Sequence, residues 1–509
     1  MTVTRSSLLA RLGCALILTA SAYAQNLQEF EKKVTEFTLT NGLRFIIAER
    51  HEAPVVAFNA TVNAGSVDDP AGASSMAHMF EHMIGKGTTS LGTTNWPEEQ
   101  KALADVEQRY DALDAERNKG ALADKTKVAQ LETALNAAMD RANKYVDQNA
   151  YTRVISENGG AGFNAGTAQD YTTYFYSLPA NRAELWFLLQ SEWFRRPVFR
   201  EFYKERDVVR EERRMRVESD VQGKLQELLL ATAFMEHPYR NLIGWAGEIE
   251  RLRAKDAETF FHKYYVPGNI VISIVGDVDP KRMRALADKY FASIPAGPMP
   301  PPVAIVEPPQ EGPKTAALDT ETQPIVFIGY KRPDERDPDD PVIDVINGVI
   351  ASGRTGLLYQ RLVRDQKIAL EADAAESLPG GKYPNLFLVF SAPNTGHTLE
   401  ENEKAIYAIL DELKTKPVDE ETLKRVKTKI RAGLIRQLDS NSGLASQLTF
   451  YQIAYGDWRM MFKGLDLINK VTAADVQRVA RRIFTEEGRT VAFTKAPPAG
   501  SSPKKESAQ

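Results

Sequence analysis

Six histidines occur in the whole chain, and two of them, His78 and His82, stand four residues apart with Glu81 between them. Residues at i and i+4 of a helix share a face, and i+3 lies beside them. A helix here aims two imidazole nitrogens at one point and sets a carboxylate next to it. Two imidazoles and an oxygen group suit Zn2+. A third protein ligand would leave one position for water, and the glutamate could take that water's proton. His-x-x-Glu-His is the inverted zincin order. In so histidine-poor a chain, a surface helix with two chance histidines is the weaker reading.

The elements that must hold this site are legible around it. Asp69-Pro70 predicts a helix N-cap followed by proline at the first helical position. Gly85 and Gly87 predict the end. Met76, Phe80, Met83 and Ile84 recur at helical spacing and form the core-facing side. A second stripe, Phe202, Glu205, Val209 and Glu212, has steps of three, four and three. It puts two carboxylates on an apolar face, where each needs a partner. A metal and its supporting groups would serve, and so would one of the nearby arginines; spacing alone leaves both open.

With 509 residues, 43% of them hydrophobic, the chain can bury at least two cores. A net charge of -4 calls for no nucleic acid and no anionic membrane surface. Arg5 and Arg11, an apolar run over 12–19 and Ala22-Tyr23-Ala24 predict a secretory signal over 1–24 and a periplasmic protein. The run is too short to span a membrane as an anchor. Cys14 lies inside it, so the mature chain is expected to have neither disulfides nor thiolate ligands.

Along the chain, a first module is expected over 25–294. Asn41-Gly42 signals a hairpin, and 55–62 reads as a strand. The segment 95–150 reads as a helical hairpin inserted without chemistry of its own. The Gly-rich run at 159–167, where another backbone could approach closely, precedes a clear strand. His237 and His262 are isolated and read as structural. Eight prolines fall within 295–313 and mark a linker. A second module follows over 314–496, then a polar tail at 497–509. Helix, turn and buried strand recur at 256–275 and 475–493, so the modules read as duplicated units, only the first with the histidine pair. The predicted fold is α+β: two homologous modules, each a mostly antiparallel sheet packed with helices.

Several separate signatures then occur in order. They are His78 to His82, Lys86-Gly87-Thr88, Asn164-Ala165-Gly166-Thr167 with Asp170, and Glu205 to Glu212. His237-Pro238-Tyr239, Tyr265-Val266-Pro267-Gly268-Asn269 and Gly353-Arg354-Thr355-Gly356 follow. Together they resemble the pitrilysin/insulinase family of zinc peptidases, which includes the mitochondrial processing peptidase. The resemblance implies a zinc endopeptidase acting on peptides or unfolded segments and built as half of a clamshell. It implies one Zn2+ per chain on His78, His82 and Glu212, with Glu81 as general base and Glu205 as the carboxylate that steadies the site. The interval from His82 to Glu212 is long for this group, and the insertion at 95–150 accounts for the excess. Asn164, Ala165 and Gly166 match the edge along which an extended peptide adds as a strand.

Active members also carry an arginine and a tyrosine on a helix of the C-terminal half. Here Tyr451 or Tyr455 could serve, without an arginine at the expected distance before either. The resemblance therefore implies a homologous second subunit, or a second copy of the chain, that completes the site. Two alternatives are a non-catalytic scaffold subunit, which would not need Glu81 or a full ligand set, and a zinc hydrolase of small molecules, which would not need the Asn164 edge.

Overall fold

The computed structural model describes residues 29–495; the predicted signal at 1–24 and tail at 497–509 lie outside them. The first sheet is built from β1 (Val34–Thr38), β2 (Arg44–Glu49), β3 (Val55–Val62), β4 (Ala161–Thr167), β5 (Thr172–Pro179) and β6 (Ile270–Gly276). Its order is β1-β2-β6-β3-β5-β4. The second has β7 (Lys314–Asp319), β8 (Val326–Arg332), β9 (Ala369–Leu378), β10 (Asn385–Pro393) and β11 (Arg489–Lys495), in the order β7-β11-β8-β10-β9. Without β1 the two orders superpose strand for strand. Each has one parallel pair, β2 with β6 and β7 with β11, and is otherwise antiparallel.

The helices that matter for the site are α1 (Met76–Met83), α2 (Trp96–Arg117), α3 (Lys125–Asn143), α4 (Phe202–Arg213), α5 (Val221–Ala233) and α6 (Ala254–Tyr264). In the second half they are α7 (Asp340–Ile350), α8 (Glu420–Asp439), α9 (Asn441–Tyr455) and α10 (Ala473–Ile483). Helix α1 touches α4, β4 and α6, and α7 touches α8, β9 and α10 in the same relation. The duplication expected from one repeated helix–strand unit thus runs through both halves.

Two features differ from the simple picture of beads on a linker. Each sheet has one face covered by a helix of the other half. Leu444, Ala445 and Leu448 of α9, with Trp458, pack on Ile46, Ala48, Ala57 and Val275 of the first sheet. Leu225, Leu229 and Leu230 of α5 pack with Phe327, Leu386 and Ala492 of the second. A buried sheet face must exclude water on both sides, and this chain does so by exchange. The Pro-rich segment forms neither helix nor strand, and Glu307 within it accepts hydrogen bonds from the backbone N–H groups of Met235, Glu236 and His237.

The inserted hairpin is also more than an excursion. Val106, Tyr110, Leu113, Leu135 and Ala138 belong to the core of the first half. Tyr110 stacks on Tyr203 of α4 with ring centroids 4.3 Å apart. Glu99 of α2 pairs with Arg200 at 2.7 Å, both side chains almost wholly buried. A buried pair of this kind, broken on one side, costs about 3–5 kcal/mol. Sequence periodicity identifies the two helices but not which surface their apolar stripes cover.

Candidate metal centre

Helix α1 begins later than Asp69-Pro70 suggests, at Met76, after Ser75 in a left-handed conformation (φ 73°). Asp69 still caps it, from a distance. Its carboxylate accepts from the backbone N–H of Ser75 at 2.6 Å and of Ala77 at 2.8 Å. Burial pushes this carboxyl up to about 8. The loop at 241–248 closes over the helix start: the N–H of Trp245 donates to Ser74 Oγ, and Gly244 lies so close that a Cβ there would fall 2.7 Å from the Cβ of Ser75. Met76, Phe80 and Met83 are fully buried, and Phe80 sits against Phe199, Phe260, Phe261 and Tyr265. Truncating Phe80 to alanine would cost about 3–5 kcal/mol. This anchoring fixes which face of α1 turns toward α4.

On that face, His78 Nε2 lies 3.3 Å and His82 Nε2 3.4 Å from Glu212 Oε2 of α4. The three ligand atoms all lie within 4.8 Å of one another. A tetrahedral centre with bonds of about 2.1 Å has ligand–ligand edges of about 3.4 Å, so the two His–Glu212 distances fit one ion. The ring planes of His78 and His82 stand at 75° to each other, not stacked. Glu205, two helical turns before Glu212 on the same stripe, places Oε2 3.5 Å from His82 Nδ1, the arrangement that orients a ligating imidazole. Both carboxylates of that stripe therefore face the histidines, while Arg216 pairs with the other oxygen of Glu212 at 2.6 Å.

The charges respond to one another even without an ion. Hydrogen bonding to His78, against some desolvation, holds the Glu212 carboxyl down at about 2. Burial lowers His82, and the carboxylates of Glu205 and Glu212 more than reverse that, leaving it raised. Glu81 is half-buried and, among the described residues, makes no hydrogen bond or ion pair.

Asn164, Ala165 and Gly166 lie on β4, which pairs with β5 on one side and ends the sheet on the other. This strand runs beside α1, and Thr167 Oγ1 donates to the carbonyl of Ala77 at 3.4 Å. Tyr451 and Tyr455 are not brought to the histidines. They stack on each other in α9 and line a separate cavity of the second half. His237 is buried and accepts a hydrogen bond from the N–H of Tyr239, a structural role; His262 is exposed.

Residues 129–244 match the family described as insulinase (peptidase family M16), and residues 251–430 match the peptidase M16 inactive domain. The chain belongs to the M16 peptidase family, with the two halves that family's structures share. The zinc protease PqqE of Helicobacter pylori is 26% identical over 498 residues, covering 95% of this chain and 97% of that protein. A crystal structure of a Helicobacter pylori protease matches with a TM-score of 0.76 at 24% identity, over 91% of this chain and 99% of that one. The periplasmic protease PqqL of Escherichia coli matches with a TM-score of 0.65 at 16% identity, over 91% of this chain but 48% of that one.

Proposed function

We propose that this chain is a zinc-dependent endopeptidase that cleaves peptides or unfolded protein segments. The observation that carries the proposal is the triangle of His78, His82 and Glu212 at spacings that suit a tetrahedral ion, beside an unpaired Glu81. Bound there, Zn2+ would polarise a carbonyl and lower the pKa of its water. The side chains divide the remaining work. His78, His82 and Glu212 hold the ion, and Glu205 steadies His82. Glu81, which among the described residues makes no hydrogen bond or ion pair, would take a proton at its carboxylate. The edge of β4 at Asn164, Ala165 and Gly166 offers backbone N–H and C=O groups to an extended peptide, a grip indifferent to side-chain identity. The second half, which matches the inactive-domain description, carries no histidine pair.

The same reading places the protein in the periplasm, from the segment at 1–24 and the periplasmic relative. It also makes the chain half of a clamshell, closed by a homologous subunit or a second copy. This chain spans about half of PqqL, so one such relative has room for two halves in one polypeptide. Metal analysis with a quenched, unstructured peptide tests the activity: one zinc per chain and chelator-sensitive cleavage are expected. A protein that takes up no zinc, or that takes it up and never cleaves with or without a candidate partner, would sink it. Full cleavage by the isolated monomer would remove the need for a second half.

A further inference from the structure

Lys86 lies just past the end of α1, and its ammonium is mostly buried between two carboxylates. Its Nζ lies 2.5 Å from Glu205 Oε1 and 2.9 Å from Glu201 Oε2. The other oxygen of Glu205 faces His82 Nδ1. A continuous line of charge and hydrogen bonding therefore runs from Lys86 through Glu205 to His82, whose Nε2 points at the position shared with His78 and Glu212. The backbone that carries Lys86 is fixed in turn. The buried guanidinium of Arg200 donates to the carbonyls of Lys86, Thr88 and Leu91 and is itself held by Glu99 of the inserted hairpin. Gly87 (φ 85°) and Gly92 (φ 88°) let the loop wrap that guanidinium; a Cβ on Gly92 would stand 2.7 Å from Arg200 Nη1.

We infer that Lys86 is a positioning residue for the metal centre, acting through Glu205. A glutamate with two rotatable oxygens can turn away from His82, and a lysine bound to one oxygen leaves the other aimed at Nδ1. Groups one step behind a ligand typically change metal affinity 10–100-fold when removed. The inserted hairpin then has a part in the site without supplying a ligand, because Glu99 and Arg200 set where Lys86 starts. The inference rests on the zinc reading above, and the experiment separates the two.

Zinc affinity is measured by chelator competition on the full chain for wild type, Lys86→Met, Lys86→Arg, Glu205→Gln and the Lys86→Met/Glu205→Gln pair. Lys204→Met serves as control, since Lys204 pairs with Glu201 from the solvent side. Lys86→Met is expected to weaken zinc about 10-fold. Lys86→Arg should restore affinity to within about 3-fold, because the charge and a donor remain. In the Glu205→Gln background, Lys86→Met should add nothing further, as residues acting in one line are not additive. Unchanged zinc affinity in Lys86→Met, with or without a fall in thermal midpoint, overturns the inference, and so does a full additional loss in the double variant. A wild type that binds no zinc overturns the zinc reading itself.

Discussion

In the first half, the helix after the third strand turns His78 and His82 toward Glu212 on α4. In the second half, the helix in the same place, α7, turns Asp340 and Asp344 toward a cavity of about 680 Å3 whose lining also includes Glu335, Glu376, Tyr451 and Tyr455. The surroundings correspond: α4 and β4 for α1, α8 and β9 for α7. The chemistry does not. Two imidazoles and one carboxylate make a set that a divalent cation completes. In the second half acids line the cavity together with Arg336, Lys429 and Arg436. Arg332 pairs with Asp340, and Asp344 makes no hydrogen bond or ion pair among the described residues. Burial, then the charges of Asp340 and Glu376, push Asp344 well above the usual carboxylate range, and burial raises Glu335 to about 7. One backbone arrangement thus hosts either a His-His-Glu triangle or a buried acidic cluster. The fold sets where a site can be, and a few side chains set whether it is one.

The largest expected effect tests whether chemistry is confined to the first half. Glu81→Gln should keep one zinc per chain and lower turnover of an unstructured peptide by at least about 10²-fold, the usual cost of a lost general base. Asp344→Asn should leave turnover within about 2-fold of wild type, since that change alters neither ligand nor base. An equal collapse in both variants would break the contrast.

The next effect is on the metal. Native mass spectrometry should find one zinc in wild type and none in Glu212→Ala, with Glu205→Ala weakened about 10-fold but still loaded. Two zinc ions in wild type, with one retained by Glu212→Ala, would show that the second half also takes an ion.

A smaller effect concerns stability. A carboxyl whose folded pKa is raised above its unfolded value costs stability when the pH is above the folded value, and the cost fades as the pH falls through it. Asp344→Asn should therefore stabilise the protein at pH 8, because the amide has no charge to hold out of water. The gain should shrink toward pH 5. Thermal melts at both pH values check the sign, and a loss at pH 8 would mean that Asp344 has a partner that compensates it.

The smallest effect runs the other way in the first half. Glu212 is held at about 2, below its unfolded value of about 4.3. In the zinc-free protein its contribution is present above that unfolded value and is lost as the pH falls toward 2. Glu212→Gln should flatten the acid limb of the stability curve between about pH 5 and 2. An unchanged limb by urea titration would mean that the carboxylate gains nothing from His78 without metal.

The part of this contrast that sequence revealed is the part encoded locally. His78, Glu81 and His82 are one helical turn, Glu205 and Glu212 two, and the strand at 172–179 is announced by its Thr and aromatic run, whereas 161–167 reads locally only as a Gly-rich stretch. The rest depends on partners far along the chain. Asp69 caps α1 across a left-handed turn at Ser75, which a proline at 70 conceals. Lys86 meets Glu205 more than a hundred residues away; Lys86-Gly87-Thr88 stands out as a signature in the sequence, but nothing there says which carboxylates its ammonium meets. The stretch around Tyr451 is legible in sequence only as a place for a substrate-contacting tyrosine; the folded chain shows that its helix covers the first sheet while its tyrosines face the second cavity. The acidic pair of α7 sits at the spacing of a ligand pair, and spacing alone cannot tell a ligand from a duplicated relic.

The exchange of helices between the sheets has a consequence for the order of events during synthesis. The first sheet is complete when β6 ends at Gly276, but the helix that shields its second face begins only at Asn441. Until that helix emerges, Ile46, Ala48, Ala57 and Val275 remain open to water or to a passing chain. Exposed apolar surface of this sort invites association with other chains, and contacts between residues so distant in sequence form slowly. The half that holds the histidines is thus the first to be made and among the last to be finished.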